Sequence, residues 1–392
     1  MRRPLRLVPL LAALGVLTAC SSDLAEQGAA VAAAAPSPVG DSAAPGTTAP
    51  DGAVAASSAA GDVAAPAAPA ATVRFGSTAA ESQACLAALQ QRLTAAADAE
   101  RADSAGKRPP AGHSAVFARS KGWYPEMPAF RDGSILPCSR IVAYYGHPSS
   151  TRMGALGEFP KAEMLRRFRN QVEQWRKADP KTPVVPALHM VSVVAQGDPG
   201  TSGKYRTITG DAKVNEVYGW AKEAGAIFIV DIQVGTDDIR NILPRFDWIL
   251  KNPDVHLAVD PEFYMRDGVK PGRKIGTMYA SDINWVSEHL AKLVREHDLP
   301  PKVLIIHRFT RNMVRNSQDV KLRPEVQVVM HMDGWGAPWL KFDSYRDYVV
   351  AEPVQFTGWK NFYHNDTKKG DPLMQPQDLL KLEPKPLYIQ YQ

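Results

Sequence analysis

The sequence predicts an α/β protein of the (β/α)8 TIM-barrel class, and three observations predict it. Between Ser139 and Gln392, eight short apolar runs alternate with helical or loop crossovers. Most runs lack a polar face, as strands of a parallel sheet covered on both sides do. Most also end in a polar residue able to do chemistry, and barrel enzymes keep their active sites at the carboxyl ends of the strands. Eight strands in about 250 residues fit a closed barrel with right-handed crossovers better than an open doubly wound sheet. An open sheet predicts a Gly-rich phosphate loop after an early strand, and none is present, so no cofactor is expected.

The strands read as Arg140–His147, Val184–His189, Ala226–Gln233, Val255–Glu262, Val303–Arg308, Val326–Asp333, Gln355–Tyr363 and Pro386–Tyr391. Helical periodicity falls between them at Lys161–Lys177, Ala212–Ala224, Ile239–Leu250 and Ser281–His297, with Pro244 placed to shift the start of the third. Ahead of the barrel, Cys85, Leu86, Leu89 and Leu93 recur at helical spacing within Glu81–Ala102. Since the chain stops at its eighth strand, this helix is expected to lie where an eighth crossover helix would. Residues 104–137 are rich in Pro and Gly and carry Trp123, Tyr124 and Phe130, which predicts irregular packing across the barrel. Loops at Gln196–Gly210 and Arg266–Ala280 are candidate lids or walls.

The amino terminus reads as an export signal. Arg2, Arg3 and Arg6 precede an apolar stretch from Leu7 to Leu17 and then Leu17-Thr18-Ala19-Cys20. That stretch is shorter than the roughly 20 residues that span a bilayer. Residues 21–79 are mostly Ala, Pro, Gly, Ser and Thr and cannot bury enough apolar surface to offset chain entropy, so they read as a disordered tether. The expected organisation is a signal at 1–20, this linker at 21–79, a helix with an irregular segment at 80–138, and the barrel at 139–392. Of three cysteines, Cys85 and Cys138 remain as a pair once Cys20 is set aside, and a disulfide between them is expected in an oxidising compartment. A net charge of +5 over 392 residues, with no basic run, does not favour nucleic acid as a partner.

The most pointed sequence is His256-Leu-Ala-Val-Asp260-Pro-Glu262, an apolar strand running into two carboxylates. Side chains alternate along a strand, so Asp260 is expected to share a face with Glu262, Asp231 with Gln233, and His331 with Asp333. If those faces point inward, Asp231, Asp260, Glu262 and Asp333 converge at one mouth as catalytic candidates. Like charges in a partly dry pocket raise the proton affinity of one carboxyl, and glycoside hydrolysis needs such an acid beside a base or nucleophile. Tyr145, His147, His189, Gln233, His307, His331, Trp335, Lys360, Tyr363 and Gln390 are candidates for holding a substrate around it. The further aromatics Tyr144, Phe263, Tyr264, Trp339, Trp359 and Phe362 suit sugar-ring stacking or the core.

Asp260-Pro-Glu262 at the fourth strand resembles the Asp-x-Glu of chitinase-type and Chalaropsis-type lysozyme barrels, and Tyr388-Ile-Gln390-Tyr391 resembles the Gln-Tyr end of those lysozymes' last strand. The resemblance implies Glu262 as general acid and Asp260 as its partner. The chitinase pattern has a further Asp where this chain has Ala258. Over about residues 139–392 the chain resembles a family of uncharacterised bacterial lipoproteins with a glycoside-hydrolase-like TIM barrel, and Leu17–Cys20 resembles the lipoprotein box. That implies lipidation at Cys20, a membrane anchor facing the periplasm or cell exterior, and a polysaccharide or cell-envelope glycan as substrate. A non-catalytic glycan-binding surface lipoprotein is the alternative. The four strand-end histidines raise a metal-dependent hydrolase as another, but Tyr145 stands where a second histidine before His147 would complete the amidohydrolase pattern, and the eighth strand ends without an Asp. No metal is therefore expected.

Overall fold

The structure, a computed structural model, describes residues 75–103 and 127–392. The expectations for the export signal, Cys20, most of the linker, Trp123 and Tyr124 fall outside the described residues.

Eight parallel strands form a closed (β/α)8 TIM barrel: β1 (Arg140–Gly146), β2 (Val184–Ala195), β3 (Ile227–Ile232), β4 (Val255–Val259), β5 (Lys302–His307), β6 (Val326–Met332), β7 (Phe356–Asn361) and β8 (Tyr388–Tyr391). Closure is made by β1, which pairs with β2 on one side and β8 on the other. Alternation along the strands sorts their side chains into two clusters. Ile141, Ala143, Val185, Ala187, Ile227, Ile229, Ala258, Val303, Ile305, Val329, Phe356 and Tyr388 fill the barrel interior. Their neighbours, among them Val142, Leu188, Phe228, Leu257, Leu304, Val328 and Ile389, face the surrounding helices. The polar strand-end residues share the interior parity one layer higher, which sets a charged tier on an apolar floor.

Helix α1 spans Ala79–Asp103, α2 Lys161–Ala178, α3 Asp211–Glu223 and α4 Ala280–Glu296. In α2 the buried Met164, Leu165, Phe168, Val172 and Trp175 form one stripe against the sheet. The third predicted helix is broken into Ile239–Ile242, a 3₁₀ turn at Leu243–Phe246 and Asp247–Leu250, because Pro244 has no N–H to continue the ladder.

Helix α1 does not stand in for an eighth crossover helix. Its Leu89 packs with Ile135 and Leu136 against the lowest interior residues, so α1 and the segment just before β1 close the amino-terminal end of the barrel. The Gln327 side chain serves this plug: its Oε1 accepts from the Ile135 and Leu136 N–H groups at 3.0 and 3.1 Å, and its Nε2 donates to the Leu136 carbonyl at 2.6 Å. A Cys85–Cys138 disulfide ties helix to plug across 53 residues of sequence.

Two strand ends differ from the sequence expectation by three residues or more, and both shape the mouth. β2 continues past His189 to Ala195, where it pairs antiparallel with Arg206–Ile208 in the first long loop. β4 stops at Val259, since Pro261 opens a 3₁₀ turn over Pro261–Phe263 capped by Asp260, whose Oδ1 accepts from the Glu262 N–H at 3.0 Å. Asp260 and Glu262 therefore reach the mouth through a turn and not through strand alternation.

Candidate active site

At the carboxyl ends of the strands lies a narrow cleft with a free volume of about 30 Å³. Its polar lining is Gln233 beyond β3, Asp260 and Glu262 beyond β4, Asp333 beyond β6 and Lys360 of β7, with Tyr145 of β1 among them. Its apolar walls include Phe263, Phe309, Trp335 and Phe362. Gln233 is fixed from both ends, its Oε1 accepting from the Ala195 N–H at 3.0 Å and its Nε2 donating to Asp260 Oδ2 at 3.3 Å. Lys360 Nζ lies 3.9 Å from the centre of the Tyr145 ring and 4.7 Å from that of Phe362. The second long loop is a wall held in place, with the Gly276 N–H donating to the Glu262 carbonyl at 2.6 Å and the Thr277 N–H to that of Tyr264 at 3.1 Å. A Cβ on Gly276 would fall 2.6 Å from the Glu262 and Pro261 carbonyl oxygens, so only glycine allows that approach.

Beneath this cleft is a second tier with no exposed surface: His189, Asp231, His307, His331 and Gln390. Asp231 Oδ2 lies 3.2 Å from His189 Nε2 and 3.3 Å from His307 Nε2. These separations are in ion-pair range, yet neither is aligned as a hydrogen bond, and both Asp231 oxygens and both Nε2 atoms are left without one. The Nδ1 atoms are held firmly. That of His307 meets Asp333 Oδ2 at 2.8 Å, and that of His189 meets Tyr388 Oη at 2.6 Å and Gln390 Nε2 at 3.0 Å. Tyr145 roofs the cluster, its ring centre 5.0 Å from that of His189 and 6.1 Å from that of His307.

Electrostatics follow from this layering. Burial, then the charges of Asp260 and Asp333, hold the Glu262 carboxyl well above the usual carboxylate range. Asp260 is pushed up to about 7, first by burial and then by Asp333 and Asp231 against the opposing pull of His307. Burial opposes a proton on His307, but the charges of Asp231 and Asp333 outweigh it and raise the imidazole to about 10. His189 is lowered to about 4 by burial despite Asp231. Burial also lowers Lys360, though all four carboxylates favour its charge. Two buried acids biased toward the protonated form thus face a walled cleft above a charged, ordered base layer.

The structure separates the residues singled out from sequence. Glu262, Asp260, Asp333, Tyr145, Gln233, Trp335 and Lys360 line the cleft. Asp231, His189, His307, His331 and Gln390 do not reach it, because the register of their strands sets them one layer lower. His147 is turned aside by Gly146, where β1 ends at φ 146°, and bonds Thr209 Oγ1 at 3.2 Å. Tyr363 has the outward parity and donates to Gln171 Oε1 at 2.8 Å in the outer layer. Tyr144, Tyr264 and Trp359 also pack outward, and Trp339 is exposed. Tyr388 was not singled out, although its parity with Gln390 marks it as inward. Met153, Phe309 and Gln392 of the lining lie outside the strands and carry no sequence signal, while Val194 and Ala195 arrive with the extension of β2.

No protein-family model matches this chain, and no curated protein matches its sequence. Solved structures with some likeness include a trimodular GH5_4 subfamily endoglucanase, at TM-score 0.31 and 10% identity over 56% of this chain and 50% of that one. The chain thus spans about half the length of that protein. A sugar phosphate isomerase/epimerase from Parabacteroides distasonis has TM-score 0.31 and 12% identity over 66% of this chain and 88% of that one. A ruminal GH26 endo-β-1,4-mannanase has TM-score 0.26 and 12% identity over 66% and 60%. At these scores the likenesses carry no argument about the chemistry of this chain.

Proposed function

We propose that this protein is an exported, lipid-anchored hydrolase of glycosidase type, acting on a polysaccharide or cell-envelope glycan outside the cytoplasm. The observation that carries the reading is Glu262: a buried carboxyl biased strongly toward its protonated form, facing an aromatic-walled cleft beside two further carboxylates. A general acid near neutrality requires that bias, and aromatic faces suit the apolar faces of sugar rings. Glu262 gives its proton to the leaving oxygen. Asp333, with Oδ2 held by His307 and Oδ1 unbonded, serves as base or nucleophile. Asp260, engaged by Gln233 and the Glu262 N–H, positions Glu262 and, once ionised, raises the proton affinity of Glu262. Export and anchoring rest on the amino-terminal residues through Cys20, and a Cys85–Cys138 disulfide suits an oxidising compartment.

The test is a screen of the full chain against β- and α-linked glycans, followed by Glu262→Gln on any substrate found. Hydrolysis should fall by about 10²–10⁴-fold with glycan binding retained. Binding without hydrolysis in the parent chain would leave a glycan-binding surface protein in its place.

A further inference from the structure

We propose that His189, Asp231 and His307 bind one divalent transition-metal ion of the zinc class, buried one layer below the cleft and shielded from substrate by Tyr145. The inference does not rest on the hydrolase reading. Four observations carry it.

Each residue offers one ligand atom, and the three atoms lie within 4.8 Å of one another. Two of the separations, 3.2 Å from Asp231 Oδ2 to His189 Nε2 and 3.3 Å to His307 Nε2, match the edge of about 3.4 Å that a tetrahedral ion with bonds of about 2.0–2.1 Å imposes. Those same atoms are fully buried and make no hydrogen bond, a costly state for three polar side chains unless something else fills their valence.

The outer contacts are those a bound ion needs. A ligating histidine turns its other ring nitrogen to a carboxylate, hydroxyl or carbonyl, which fixes the ring for the metal. Here His307 Nδ1 meets Asp333 at 2.8 Å, and His189 Nδ1 meets Tyr388 Oη at 2.6 Å with the Gln390 amide Nε2 beside both, 3.0 Å from Nδ1 and 2.9 Å from the Tyr388 Oη to which it donates. Finally, four carboxylates converge on this end of the barrel, with Lys360 as the lysine among them. The two aspartates in contact with His307, Asp231 and Asp333, also attract a metal cation. An ion here would neutralise Asp231 and lock His307 against Asp333, acting on the cleft through the position and charge of Asp333. Two nitrogens and one oxygen suit zinc-class ions better than magnesium or calcium.

The experiment uses the full chain without a histidine tag, freed of metal by chelator and titrated with Zn²⁺ by calorimetry, with thermal melting in parallel. One saturable ion per chain and a higher melting temperature are expected. Saturable uptake should be lost in His307→Gln and in Asp231→Asn, each checked for folding by circular dichroism. Should either fail to fold, Tyr388→Phe removes only an outer contact and should weaken Zn²⁺ by roughly 10–100-fold. No saturable uptake by the parent chain overturns the site, leaving His307 as an imidazolium clamped between Asp231 and Asp333. Uptake unchanged in the folded variants overturns it as well. Glu262→Gln should keep the ion, so loss of metal and loss of hydrolysis are separate results.

Discussion

Glu262 and Asp260 show how burial turns a common residue pair into an acid. Folding favours their protonated forms, since each carboxyl keeps its proton to higher pH folded than unfolded. The stability this contributes is complete below the ordinary value of 3.8 for Asp260 and is lost as pH rises through about 7. Glutamine mimics the protonated form, so Glu262→Gln should melt higher than the parent chain on the alkaline side of that range and close to it on the acid side. Thermal melts across a pH series check this. Activity is expected to fall on the alkaline side as Glu262 ionises. Because the charge of Asp260 raises Glu262, Asp260→Asn should move that alkaline limb to lower pH, read from the pH profile of kcat/KM. The two carboxylates and their place after the fourth strand were legible in sequence. That Asp260 also caps the turn carrying Glu262 was not, because Pro261 changes the backbone from extended to 3₁₀ within one residue.

Among the elements, β7 shows how a strand makes room for the polar tier. A Cβ on Gly358 would lie 2.7 Å from His331 Nδ1 and 3.0 Å from the Tyr388 ring, so Gly358→Ala must push one of these buried rings. An overpacking cost of about 1–3 kcal/mol is expected, measurable by chemical denaturation, along with weakened hydrolysis through the displaced tier. Strand periodicity alone ranks Gly358 as a weak point in β7. Only the two rings across the barrel explain why it is glycine. The extension of β2 to Ala195 has the same origin: its apolar run continues visibly in sequence, but its ladder partner, Arg206–Ile208, comes from a loop.

Over the whole molecule, the closed end of the barrel is a stability device. The disulfide closes a 53-residue loop, and chain entropy assigns it about 4 kcal/mol. Reduction, or Cys85→Ala with Cys138→Ala, should lower the melting temperature without changing the cleft, which calorimetry in the presence and absence of reductant checks. Leu136→Ala in the plug should cost about 2–5 kcal/mol by leaving a cavity under the interior floor. Both effects should leave glycan binding intact, because plug and cleft lie at opposite ends of the strands.

The barrel class, the eight strands and the end of the barrel that carries the chemistry follow from the sequence by itself. Apolar runs, their spacing and their polar ends are local properties, and only a few chain topologies satisfy them. Tertiary structure decided which residues meet. Cα alternation names a face but not a height within the barrel, so Asp231 and Asp333 look equivalent in sequence, yet one is sealed between two histidines and the other opens onto the cleft. The role of α1 as a plug was likewise out of reach, since its apolar face shows that it packs but not against which end. Position along the barrel axis is set by register between strands far apart in the chain, and that register comes from closure of the sheet as a whole.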